Sequence, residues 1–191
     1  ASDGLIALHA TVQSGALWAS WSIDPIAWIG VPLAAVLYAR GLRSLRPRLR
    51  FHGTWRPWSF YAGLALIFLA LVSPLDRLSD ELFLAHMTQH ILLMMVGVPL
   101  VLLGAPLVPV LRGIPRPVRR ALVIPVAKSL PVRAFLRTVT SPVVALFLFV
   151  VVFLVWHFPV FFEAALENAG LHIVQHLVFA GVAYAYWWNV I

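Results

Sequence analysis

Long apolar stretches alternate with short polar ones along the whole 191-residue chain. A run of about 20 apolar residues matches the length of a membrane-spanning helix. The pattern predicts five spans, at residues 25–42, 58–74, 81–103, 142–157 and 170–189. Pro99 and Pro106 are predicted to kink or end the third helix. Ser141-Pro142 reads as a helix start, and Phe158-Pro159 closes the same helix, which leaves the fourth span short. The runs lack the two-residue alternation of a membrane barrel. Backbone facing lipid must satisfy its own hydrogen bonds, so the expected fold is all-α, a polytopic transmembrane helical bundle of at least five spans. The expected domain organisation is a single domain over residues 1–191, with residues 1–24 as a surface segment ahead of the first span. Residues 4–20 read as an amphipathic helix on that surface. The chain opens on Ala1 and stops directly after the fifth run, so a removed signal peptide and further spans beyond residue 191 are expected.

Composition agrees. Hydrophobic residues make up 62% and charged residues 11%, against roughly 45–50% and about 25% in soluble domains. The 14 Lys and Arg outnumber 7 Asp and Glu, a net charge of +7, which by itself suggests a nucleic-acid or anionic partner. The positions of the charges give it a different meaning. Arg40, Arg43, Arg46, Arg48, Arg50 and Arg56 lie between the first and second spans. Arg112, Arg116, Arg119, Arg120, Lys128, Arg133 and Arg137 lie between the third and fourth. All the acids, Asp3, Asp24, Asp76, Asp80, Glu81, Glu163 and Glu167, fall on the opposite side with Arg77. The excess of basic residues marks the cytoplasmic side, so the N-terminus is expected outside. The partner implied by the charge is the lipid bilayer, and nucleic acid is excluded. Trp18, Trp21 and Trp156 at outer ends, and Trp55, Trp58, Trp187 and Trp188 at inner ends, fit interfacial belts. The chain has no cysteine, which excludes disulfides, thiolate metal sites, iron–sulfur clusters, cysteine nucleophiles and c-type haem attachment.

Of the seven histidines, His9 and His52 lie outside the spans, and His86, His90, His157, His172 and His176 lie within them. A polar side chain in hydrocarbon is costly and marks function by default. His86/His90 and His172/His176 are each spaced i,i+4, so each pair projects from one helix face. The two pairs share a wider pattern. Glu81, His86, Gln89 and His90 are matched 86 residues on by Glu167, His172, Gln175 and His176. This is either a short parallel repeat or two helices held to one constraint. His86 and His90 lie roughly 7 and 13 Å along the third span from Glu81, at about 1.5 Å per residue. His157 ends an outward-running helix, and His172 and His176 begin an inward-running one. All five therefore belong to the outer half of the bilayer.

Imidazoles gathered at one depth are either interhelical hydrogen-bond partners or a metal or haem site. A zinc protease helix needs H-E-x-x-H, and Met87 and Ile173 stand at the glutamate position. Haem b held by two histidines on different helices is an alternative, but an i,i+4 pair does not reach both faces of one haem. The pairing favours an ion held by several imidazoles. With no thiolate present, copper bound by histidine is the leading assignment. Met87, Met94 and Met95 all lie on the third span. Met94 continues the His86–His90 face as an optional thioether ligand or as packing. Gln89 and Gln175 either orient the imidazoles or join helices. Asp76, Glu81, Glu163 and Glu167 ring the outer entrance, where they either guide a cation or favour helix starts.

The strings SPLDRLSDELFLAHMTQHILLMMVGVPLVLLGAP (residues 73–106) and WHFPVFFEAALENAGLHIVQHLVFAGVAYAYWWNVI (156–191) resemble the polytopic CtaG-type cytochrome c oxidase assembly proteins. The opening WSIDPIAWIGVPLAAVLYARGLRSLR (21–46) is similar to that family's first helix. The resemblance implies a multi-pass protein of the bacterial plasma membrane that assists assembly of a haem–copper oxidase through copper. It carries the family's histidine pairs onto His86, His90, His172 and His176, and its tryptophan–histidine onto Trp156 and His157. Family members usually continue through further spans after the WW motif. The resulting expectation is a non-enzymatic factor whose partners are haem–copper oxidase subunits or a larger membrane complex. An electron-transfer or oxidoreductase subunit with haem b or a multinuclear centre, and a structural subunit of a respiratory or photosynthetic assembly, are the alternatives.

Overall fold

A computed structural model describes residues 21–45 and 53–191, of which 86% are helical, with no strand among them. The expected surface helix 4–20, His9, Trp18, Arg46, Arg48, Arg50 and His52 lie outside the described residues, as do the side chains of Asp80 and Glu81.

Helix α1, Pro25–Leu45, starts where the Asp24 carboxylate accepts from the N–H groups of Ile26 and Ala27 at 2.7 and 3.1 Å. This satisfies amides that the first turn leaves without partners. Helix α2, Trp55–Val72, runs back beside it, and the Ser22 N–H meets the Val72 carbonyl where they close. Then come α3, Pro74–Glu81, and α4, Phe83–Leu103. Helix α5, Leu107–Gly113, follows a turn in which Ala105 takes φ 47°. Helix α6, residues 116–128, and α7, Leu130–Val139, carry no buried residue. Helices α8, Pro142–Trp156, α9, Pro159–Glu167, and α10, Ala169–Trp187, complete the described chain.

Helices α2, α4 and α10 form the centre, with α1 flanking α2 and α8 flanking α10. Leu93, Met94, Val98 and Leu102 of α4 pack against Phe179 and Ala183 of α10. Helix α1 also crosses α5 at backbone contact. A Cβ on Gly41 would stand 1.8 Å from the Pro109 carbonyl oxygen, and one on Gly113 1.8 Å from that of Leu37. Nothing larger than glycine fits either place. Near this crossing the Tyr38 ring stacks on Phe60 at 3.8 Å, and its hydroxyl donates to the Gly104 carbonyl at 2.8 Å.

The outer surface is apolar. Helix α8 buries only Ala145, while Val143, Leu146, Phe147, Val150 and Leu154 are exposed. Large exposed apolar faces on closed helical backbone fit a lipid environment, so this is a membrane protein. The number of spans needs correction. Three helices, α1, α2 and α4, are long and apolar enough to cross, and there are four if α7 and α8, bent by 71°, count as one broken span. The expected five are not reached. Helix α8 has 15 residues, too few to cross a hydrocarbon core about 30 Å thick. Helix α10 has 19 residues, but His172, Gln175 and His176 lower its mean hydropathy.

Helix α8, the expected fourth span, starts at Ser141-Pro142 and stops at Trp156. The third span differs more. It is broken at Leu82, and Pro99 neither ends nor interrupts it. The reason lies in the π-helical stretch Leu92–Gly97. There the Val98 N–H bonds the Leu93 carbonyl, and the next such bond would run from residue 99 to Met94. Pro99 has no N–H to give. The indole N–H of Trp187 on α10 supplies it instead, at 2.9 Å from the Met94 carbonyl oxygen.

The 86-residue repeat of the sequence is also a repeat of shape. A short helix opened by Pro74 stops at one extended residue, Leu82 (φ −121°, ψ 113°), before the histidine helix α4. A short helix opened by Pro159 stops at one extended residue, Asn168 (φ −126°, ψ 105°), before the histidine helix α10. The side chain of Asn168 accepts from the Leu171 N–H at 3.0 Å, capping α10.

Candidate functional site

Both histidine pairs lie in the first turns of their helices, and His157 follows the last turn of α8, so one end of the bundle receives all five. Each histidine of the first pair meets its counterpart in the second. His86 stacks on His172 with centroids 5.7 Å apart and planes at 13°, and the His90 ring lies 5.5 Å from that of His176. The His157 ring stands 6.2 Å from His90. Within the pairs the rings are 4.3 and 4.4 Å apart. His86, His90 and His176 are buried, while His157 and His172 are half-buried.

Aromatic side chains wall the group. Phe162 lies 5.1 Å from His86, Phe179 4.6 Å from His90, and Phe153 4.2 Å from His157. These phenylalanines carry no chemical signature in sequence, since an apolar residue on an apolar helix looks like any other.

Hydrogen bonding within the group is sparse. Nε2 of His86 and Nε2 of His90 lie 2.7 Å apart, so one ring donates to the other. A neutral imidazole carries one proton. The pair therefore leaves one lone pair and one N–H on its two Nδ1 atoms, and both of these are buried without a partner. Nε2 of His172 and of His176 are in the same condition. His157 differs. Its Nδ1–H donates to the Phe153 carbonyl, and its Nε2 lies 3.3 Å from the Met87 sulfur.

The glutamines divide unequally. Gln89 Nε2 donates to the Ala70 carbonyl at 2.9 Å and to the Asp76 carboxylate at 2.8 Å, joining α4 to α2 and α3. Its role is thus helix joining, and it occupies the carboxylate of Asp76. Gln175 is fully buried, and neither its Nε2 nor its Oε1 has a partner. One of the two acceptors is missing from the second copy, where Phe162 stands in the place of Asp76. Of the other acids at this end, Glu163 and Glu167 are exposed. Met94 packs in the core between α4 and α10. The methionine that reaches a histidine is Met87. Nothing in the sequence singled it out, since the contact joins residues 70 positions apart.

The chain from residue 36 to residue 191, with all five histidines, matches the model of the cytochrome c oxidase caa3 assembly factor (Caa3_CtaG) family. The chain belongs to this family. No curated protein and no solved structure matches it. The function attached to the family is the assembly of cytochrome c oxidase, which fits a membrane-embedded helical protein with polar chemistry at one end.

Among the described residues, no three or more His, Asp or Glu side chains are arranged to hold a metal ion as they stand. The rings turn toward one another instead, as the bond between His86 and His90 shows. The donor chemistry nevertheless suits a metal. Imidazole is the ligand of choice for copper, zinc, iron and nickel, and unpartnered nitrogens on buried rings are costly to a fold that gives them no other use. A cavity of 170 Å³ beside His176, lined also by Leu93, Ile173 and Ala180, is below the roughly 300–1,000 Å³ typical of ligand pockets.

Proposed function

We propose that the chain serves oxidase assembly by holding copper on His86, His90, His157, His172 and His176, as cargo destined for a haem–copper oxidase. The observation that carries this reading is the meeting of each histidine of α4 with its counterpart on α10. Four ring nitrogens there have no protein partner. Bound copper would supply a cation for which neutral imidazole nitrogens are natural donors. The aromatic wall of Phe153, Phe162 and Phe179 keeps competing ligands away from the rings, and Gln89 fixes the histidine-bearing start of α4 against α2 and α3.

In the same reading the protein is a multi-pass component of the bacterial plasma membrane, with oxidase subunits as partners. The arginine-rich end, with Arg43 in the last turn of α1 and Arg56 in the first of α2, lies on the cytoplasmic side. The histidine end then faces outward. Each histidine pair presents both rings from one helix face, which favours a bare ion over haem b.

Elemental and optical analysis of the purified protein tests the proposal. Copper is expected after reconstitution, without a Soret band, and should be lost when His86 and His90 are both replaced by alanine. Absence of copper from the wild-type chain, or undiminished copper in the double variant, would sink it. A Soret band would move the assignment to haem.

A further inference from the structure

One contact at the histidine end pairs two electron donors that have no hydrogen to share. The Phe153 carbonyl can only accept a hydrogen bond, so the His157 nitrogen facing it, Nδ1, carries the proton. Neutral His157 then presents a lone pair at Nε2. That lone pair points at the Met87 sulfur 3.3 Å away, and a thioether has no hydrogen to donate. Two lone-pair donors stand side by side with no hydrogen to share, and an electrophile held by both would turn the contact into a bond.

The electrophile is a proton or a metal ion. A proton would turn His157 into an imidazolium, and the ring contacts of His157 are with Phe153, Phe179 and His90. A thioether is only a weak acceptor of an N–H, so a proton gains little at this contact. A soft cation suits the same surroundings, because thioether sulfur selects cuprous copper over harder ions. Both donors are half-buried, whereas His86 and His90 next to them are buried. The second copy of the repeat has Ile173 in place of Met87, so this sulfur exists once.

We propose that His157 and Met87 form a two-donor station for a soft monovalent cation, cuprous copper, at the half-buried edge of the histidine group. The station rests on the metal-binding reading above and deepens it, since it assigns the oxidation state taken up and names a sulfur ligand. Binding breaks no covalent bond and releases no proton from this pair, because the Nδ1 proton stays on the Phe153 carbonyl.

The test compares two metals on the whole chain in detergent micelles. Cuprous copper is titrated anaerobically against a chromophoric chelator, and cobaltous ion, which prefers nitrogen, is followed by its visible bands. Replacing Met87 with leucine should weaken cuprous binding at least about tenfold, as expected when a supporting group of a metal site is lost, and leave the cobalt spectrum unchanged. Met87→Ile, which copies the second repeat, should do the same and guards against a folding defect special to leucine. Met94→Leu should alter neither metal. X-ray absorption of the copper-loaded wild type should show a sulfur neighbour that Met87→Leu lacks. A nitrogen-only copper shell, or equal cuprous affinity in wild type and Met87→Leu, overturns the station while leaving the histidine reading intact. A wild-type chain that binds neither metal overturns both.

Discussion

The two copies of the repeat share a backbone and differ in how their polar groups are satisfied. In the first, Gln89 gives its N–H groups to Ala70 and Asp76, which ties three helices together. In the second, Gln175 occupies the same place with no partner, and Phe162 stands at the aspartate's position. The same helix–break–helix shape therefore forms with or without the glutamine bridge. The fold thus does not explain the second glutamine. A buried, unsatisfied amide that the architecture does not need is what a binding site looks like before its ligand arrives.

If that contrast is right, substitutions at matched positions should have unequal effects. Gln89→Leu removes one neutral and one charge-assisted hydrogen bond and strands the Ala70 carbonyl. The expected loss is about 3 kcal/mol, a fall in the melting temperature of about 6–12 °C for a chain of this size. A midpoint within about 2 °C of wild type would break the contrast. Trp187→Phe takes away the donor that stands in for Pro99 and leaves the Met94 carbonyl unpaired. It should cost about 1–2 kcal/mol in the same thermal measurement, and an unchanged midpoint would show that the π-helical stretch of α4 does not depend on α10. Gln175→Leu should behave in the opposite sense. Removing an unsatisfied amide in favour of an apolar side chain should leave stability unchanged or raise it by about 1 kcal/mol in the metal-free protein; a clear loss would mean that Gln175 has a structural partner after all. The smallest change is Ile173→Met, which gives the second copy a thioether. It should shift stability by less than about 1.5 kcal/mol and leave cuprous affinity as it was, because 86 residues before His157 the sequence has Leu71 and not a histidine.

Much of this was legible in the residues alone. Apolar runs and helix-start prolines located the helices of the bundle, and the 86-residue offset located the repeat, because period and punctuation are local properties. The i,i+4 spacing set each histidine pair on one helix face, and the segregation of charge together with position along the helices placed both pairs at one end. The number of spans was less legible, since apolar character and reach are separate quantities: α8 is apolar but short, and α10 is long but carries three polar side chains. The part of the site made by contact between distant residues was not legible at all. Met87 meeting His157, Asp76 holding Gln89, and Trp187 replacing the missing donor of Pro99 each depend on how helices lie against one another. Met94 was a reasonable candidate from its four-residue step beyond His90, but that step passes through a stretch that is no longer α-helical.

That stretch has a consequence for direction. In an uninterrupted α-helix, advancing about 100° per residue, the buried positions from His86 to Leu102 would drift about 160° around the axis. The wider turn at Leu92–Gly97 takes up about one residue of rotation, leaving the two ends about 60° out of phase. The histidines at one end of α4 and the packing residues at the other can then both look toward α10. The π turn acts as a phase corrector, and removing one residue from it would swing the imidazoles away from their counterparts while the rest of the helix stayed in register.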